Sequence, residues 1–144
     1  MRVIVQRGEY GKCTVDGNIT GEINDGLLLL VGFTEGDDSS KIVEMAKKIV
    51  NLRIMDDDDG VMNKSILDTN GSILSISQFT LYADTKKGNR PSYINAMKGD
   101  KAILLYDEFN NELRKYVNVE IGKFGADMHI EAHLSGPVTI TLER

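Results

Sequence analysis

The chain has 144 residues, a single cysteine and a net charge of −5, with 41% hydrophobic and 27% charged residues. That length fits one domain, residues 1–144, with enough core to need no covalent staples. The lone Cys13 excludes an internal disulfide or a thiolate metal cage and sets the expectation of a reducing, cytoplasmic setting, while the acidic balance argues against broad wrapping of nucleic acid but leaves a local grip on a single-stranded end open.

Met1 to Arg7 has no long apolar stretch followed by a small-residue cleavage site, so no signal peptide is expected. Val3 and Val5 alternate with polar positions and predict an N-terminal strand. Asp16-Gly17, between Cys13-Thr14-Val15 and Asn18-Ile19-Thr20, is a hairpin signal. Gly26 opens the continuous apolar run Leu27–Val31, which is too short to span a bilayer and suits a strand covered on both faces. Asp38-Ser39-Ser40 offers caps to a helix with apolar residues at Ile42, Met45, Ala46, Ile49 and Val50. Leu52–Met55 reads as a strand stopped by Asp56-Asp57-Asp58-Asp59-Gly60, and Ile73–Leu81 as a strand with alternating serines. A second helix begins near Asp100, with Ala102, Tyr106, Phe109, Leu113, Tyr116 and Val117 on one face. Three further strands are expected near Val119–Ile121, Met128–Ala132 and Val138–Leu142. Many strands with about two main helices, and no regular β-α alternation, predict a single α+β domain with a mostly antiparallel, barrel-like sheet.

Phosphate-binding glycine loops and the G-x-S-x-G nucleophile elbow are absent. The aspartate run does not make a calcium loop: aligning Gly60 with the loop glycine places Met55 and Ile66 at the first and last ligand positions, so a solvated acidic turn is expected. His129 and His133 are four apart in a strand-like context without the H-E-x-x-H pattern, and no metal or other cofactor is expected.

Two segments carry the chemistry. Ser77-Gln78-Phe79-Thr80 ends a predicted strand, where side-chain amides and hydroxyls sit beside backbone N–H groups beyond the last ladder bond. Such N–H groups can stabilise a developing oxyanion. Ser135-Gly136-Pro137 is either a plain turn or a cis X-Pro linkage. Between the two segments, Tyr82–Tyr93 holds Lys86, Lys87 and Arg90 against one acid, Asp84, a local basic loop suited to phosphates.

These segments, with Met1–Arg7, Gly26–Gly32, Lys48–Ile54, Ser75–Asp84, Gly88–Ser92, Gly122–Met128 and Gly136–Thr139, resemble the D-aminoacyl-tRNA deacylase family over nearly the whole chain. The resemblance implies a homodimer that hydrolyses the ester between a D-amino acid and the 3′ end of tRNA. It also implies active sites at the dimer interface. Ser77, Gln78, Phe79 and Thr80 would line the site in one subunit, with the Phe79 and Thr80 N–H groups on the oxyanion. Gly136-Pro137, in cis, would reach in from the other subunit. Arg7 would orient that loop, Met128 would contact substrate, and the terminal ribose hydroxyl would assist. In this family an Asn usually stands two residues before the Gly; here Leu134 stands there.

A gate of this kind suits the problem. Rejecting L-enantiomers while accepting many side chains calls for a backbone wall near Cα, and Gly136 lets main chain approach closely. Glycyl esters, having no side chain to strike, would leak through. Thr80 has no base beside it and is read as a binding residue, not a covalent nucleophile. Three other readings compete: a small-ester hydrolase using Ser77 or Thr80 with His129 or His133, a non-catalytic tRNA-end binder, and a purely structural dimer.

Overall fold

The computed structural model describes residues 1–144. In chain order the elements are β1 (Arg2–Val15), β2 (Asn18–Ile23), β3 (Gly26–Gly32), α1 (Ser39–Val50), β4 (Met55–Asp56), β5 (Met62–Lys64), α2 (Ile66–Thr69), β6 (Ser72–Ser77), a 3₁₀ turn (Phe79–Tyr82), α3 (Gly99–Arg114), β7 (Val119–Ile121) and β8 (His129–Glu143). The α+β expectation holds. No helix is long and apolar enough to cross a membrane.

β1 organises the sheet. Buried residues recur along it at the two-residue period of a strand, with Val3 and Val5 in the larger core cluster and Cys13 in the smaller one. One edge of β1 pairs antiparallel with β3 through Arg2–Gly8, then with β2 through Gly11–Val15. The other edge pairs antiparallel with β8 along nearly its full length. The β1–β2 turn has Asp16 and Gly17 at φ 50° and 78°, the left-handed pair that a two-residue hairpin demands. β6 adds parallel to β3 and β7 parallel to β6, so the sheet is antiparallel around β1 and parallel beyond it.

The sheet curls until β7 approaches β2, nearly closing a barrel. At that seam Gly21 faces β7: a Cβ there would lie 2.7 Å from the Ile121 carbonyl oxygen and 3.1 Å from its nitrogen. The apolar run of β3 is covered on both faces, as its composition predicts. Leu27, Leu29 and Val31 join Ile42, Met45, Ile49, Tyr106 and Phe109 under the helices. Leu28 joins Cys13, Ile23, Leu74 and Ile76 in a smaller cluster on the opposite face. Cys13 is thus a buried packing residue. α1 is capped by Asp38, whose carboxylate accepts from Ser40 N and Lys41 N at 3.0 and 3.1 Å.

Four local expectations are corrected. The strand expected over Ile73–Leu81 ends at Ser77, because the chain turns into the 3₁₀ segment once pairing with β3 runs out at Val31. Leu52–Ile54 is irregular, and only Met55–Asp56 pairs, with β5. α3 stops at Arg114, leaving Tyr116 and Val117 beyond it and Tyr116 exposed. The two strands expected at Met128–Ala132 and Val138–Leu142 are one strand, β8, continuous because β1 is long enough to template both halves. The acidic run is a turn as expected: Asp57 Oδ1 accepts from Asp59 N and Val61 N, each at 3.0 Å.

The seam generates a test. Gly21→Ala forces a methyl against β7 backbone, which cannot swing aside as a flexible side chain would. The expected cost is about 1–3 kcal/mol in urea unfolding, whereas Gly17→Ala, which meets nothing within 4 Å, reports only backbone strain.

Candidate active site

A cavity of about 440 Å³ opens at the C-terminal ends of the parallel pair β3 and β6. Its walls are Val31–Phe33 after β3, Ile76–Phe79 after β6, Gly99 and Ala102 at the start of α3, and Phe124–Met128 with Ile130 on the approach to β8. The lining is mostly apolar, and Asp127 is its one titratable side chain. Parallel neighbours end together at such an edge, so side chains and free backbone groups collect there.

β6 delivers Ser77 and Gln78 to this edge. Gln78 N donates to Val31 O at 2.7 Å, the last bond before the chain turns. In the 3₁₀ turn Leu81 N reaches Gln78 O at 3.3 Å and Ala83 N reaches Thr80 O at 3.0 Å. Phe79 and Thr80 open the turn, and their N–H groups have no acceptor within it. Gln78 Nε2 donates to Thr80 Oγ1. That bond engages the threonine hydroxyl, and Thr80 is not part of the cavity wall.

The strand is anchored from behind by α3, whose Tyr106 hydroxyl donates to the Ser75 carbonyl at 2.7 Å. Burial pushes the Tyr106 phenol above its ordinary value, so it remains a donor at neutral pH. Tyr82, at the end of the turn, is pushed up to about 12 by burial and the Asp37 charge, although Arg2 stacks 4.9 Å above its ring. Neither phenol supplies a base near neutral pH.

His129 and His133 do not reach the cavity. Ile130 lines it, and strand alternation turns His129 to the opposite face. His133 lies against Tyr10, ring centroids 5.4 Å apart. No group of three or more His, Cys, Asp or Glu side chains is arranged to hold a metal ion.

Gly136-Pro137 lies elsewhere, in a bulge of β8 facing Arg7. β1 advances from Gln6 to Gly8 while β8 advances from Leu134 to Thr139, so extra residues loop out, and Gly136 and Pro137 are exposed. The peptide bond between them is cis, and Gly136 has φ 113°. Arg7 Nη1 donates to Ile54 O at 2.9 Å and to Asp56 Oδ1 at 2.7 Å, while Nε points at Ser135 O, 3.4 Å away. The Arg7 side chain is 10% exposed and Asp56 46%. Arg7 thus ties the bulge to the β4 segment, while Leu134 pairs with Gly8 and leaves its side chain exposed.

Lys86, Lys87 and Arg90 are exposed on a loop closed by the Asp84–Ser92 bridge. None of them forms an ion pair.

Within one chain, Ser77, Gln78, Phe79 and Met128 therefore converge on the cavity; Arg7, Gly136 and Pro137 form a separate group, and the basic loop is a third. Reading the sequence missed Phe33, Met97, Ala102, Phe124 and Asp127 as cavity residues. Ala102 was read as part of a helix face packed on the core, and nothing marked the first turn of that helix as a cavity wall. Phe124 and Asp127 lie within Gly122–Met128, where the resemblance implies a role for Met128 alone.

Fold and cavity together define a small, nearly closed α+β barrel with a ligand-sized cavity where its parallel strands end. Residues 4–143 match the family model for D-Tyr-tRNA(Tyr) deacylase. A D-aminoacyl-tRNA deacylase of Bacillus cytotoxicus is 53% identical over 144 residues, covering 99% of each chain. The chain belongs to the D-Tyr-tRNA(Tyr) deacylase family. Among solved structures, a c-Myc DNA unwinding element binding protein superposes with TM-score 0.94 at 37% identity, over 100% of this chain and 99% of that one. A probable eukaryotic D-amino acid tRNA deacylase shares the fold with TM-score 0.85 at 16% identity, over 98% and 97% of the two chains.

Removing the Arg7 guanidinium strands Ile54 O and frees the bulge. Arg7→Ala is expected to cost about 1.5–3 kcal/mol in urea unfolding, the range for hydrogen bonds to a charged group. It should also speed amide exchange at Ser135 and Val138 without changing exchange at Leu81.

Proposed function

We propose that this chain hydrolyses the ester linking a D-amino acid to the 3′ end of tRNA. The observation that carries the reading is the pair of free N–H groups, Phe79 and Thr80, opening a turn beside an apolar cavity. Family membership at 53% identity supports it. Hydrolysis of an ester passes through a tetrahedral oxyanion, and preorganised backbone donors stabilise that charge without reorganising. The cavity excludes bulk water around the terminal nucleoside, and Ser77 and Gln78 orient the aminoacyl group. The terminal ribose hydroxyl assists attack by water. Thr80 holds Gln78 in place and takes no covalent part. Lys86, Lys87 and Arg90 meet the phosphates of the acceptor end.

Chirality is read by a second copy of the chain. Gly136-Pro137 does not line its own cavity, and Gly136 stands six residues beyond Ile130 on β8, on the order of 20 Å along a strand. In this reading a partner subunit brings that bulge to the site. The outer edge of β8 makes no pairing within the chain, which favours assembly through this strand. The Gly136-Pro137 backbone then walls the position where an L side chain would point, and Arg7 and Met128 support the two faces of the pocket. Glycyl esters pass the same wall.

The small-ester hydrolase reading lacks its histidine base, since neither histidine lines the cavity.

Matched D- and L-tyrosyl-tRNA, incubated with the protein and EDTA, are expected to lose amino acid from the D ester only. Release from both would remove the gate. In Gly136→Ala the new methyl would lie 2.9 Å from Val138 Cγ2 and 3.2 Å from Arg7 Nη2, at a backbone φ that L residues rarely adopt. Displacement of the wall by even an ångström is expected to cost about a hundredfold in kcat/KM on the D ester. His129→Ala and His133→Ala are expected to retain activity, and loss in either would restore the serine or threonine esterase reading.

A further inference from the structure

An exposed surface of aromatic and aliphatic side chains sits on the rim of the cavity, and the chemistry above does not use those side chains. Phe79 is 57% exposed, Tyr93 41% and Ile94 85%. The Phe79 and Tyr93 rings meet edge to face, centroids 5.0 Å apart. The backbone carrying Tyr93 is not a loose loop. Ser92 is paired with Asp84, Ala96 N donates to Tyr93 O at 3.0 Å, Thr34 Oγ1 donates to Asn95 O at 2.7 Å, and Met97 N donates to Phe33 O at 2.9 Å. Apolar side chains are thus presented to water by a fixed turn, a costly arrangement unless something covers them.

Charge selects the occupant. The same turn closes the loop bearing Lys86, Lys87 and Arg90, none of them ion-paired, in a chain whose net charge is −5. Flat aromatic faces beside unpaired cations are what unpaired nucleotides require: bases stack on the rings and phosphates meet the cations. The surface is also continuous with the cavity, since Phe79 belongs to both.

We propose that Phe79, Tyr93 and Ile94 form a stacking platform for the unpaired nucleotides that precede the ester-bearing terminal one. The inference rests on the reading of the cavity as the site for the terminal nucleoside. The platform adds a binding element that acts on the RNA strand and not on the ester. Its signature is dependence on substrate length.

The test compares D-tyrosyl-tRNA with D-tyrosyl-adenosine, which lacks the preceding nucleotides. Tyr93→Ala is expected to lower kcat/KM on the tRNA about five- to a hundredfold, the range for loss of one stacked base. It should leave kcat/KM on the adenosine ester unchanged. Tyr93→Phe should retain activity on both. Equal loss on both substrates, or loss on neither, would overturn the platform. A change in sedimentation of Tyr93→Ala would overturn it as well, by showing that a second copy of the chain covers this face. Binding of an uncharged RNA hairpin ending in three unpaired nucleotides separates the platform from the activity. If the unaltered chain releases no amino acid yet Tyr93→Ala weakens hairpin binding by a similar factor, the deacylase reading falls and the platform stands.

Discussion

β1 carries three partners, and the placement of every functional segment follows from that. One of its edges is shared end to end by β3 and β2, and the other is filled by β8. Sharing an edge forces the strand to curl, which carries β7 round toward β2 and leaves room at the seam only for a glycine. The same register sets β3 beside β6, so that both end at the cavity. It also aligns β8 so that Ile130, near its start, lines the cavity while its bulge lies opposite Arg7.

The cavity that results is mostly apolar and holds few side chains able to act as a base. Its lining has one carboxylate and no histidine, the Thr80 hydroxyl is engaged by Gln78, and the nearby phenols are held protonated. What remains are N–H groups fixed by the end of a strand and the start of a 3₁₀ turn. Such donors have no titration of their own near neutrality. A substrate that is already a labile ester needs positioning and charge stabilisation more than a strong base.

Much of this was legible in the chain. The helical period of Ile42, Met45, Ala46 and Ile49, the Asp16-Gly17 turn and the unbroken Leu27–Val31 run each report a local preference that the fold respects. The failures share a cause. Ile73–Leu81 alternates like one strand, but its length depends on where β3 stops, and that is a property of the partner. Met128–Ala132 and Val138–Leu142 look separate because Gly-Pro intervenes, yet β1 pairs with both. The cavity wall from α3 and from Phe124–Asp127 was hidden for the same reason: Ala102 and Phe124 look like ordinary packing residues until distant strands put a hollow beside them. The Arg7 partners, Ile54 O and Asp56, lie 47 and 49 residues away, and no local pattern marks them.

The bulge in β8 interrupts its pairing with β1 and then restores it, at Leu134 on one side and Thr139 on the other. Residues 135–138 are thereby held without ladder bonds, by Arg7 against Ser135 O and by Val138 packing on the core. A change of length there leaves the ladder on either side free to keep its register. The ladder on either side thus fixes where the bulge stands, while its shape depends on a few contacts of its own.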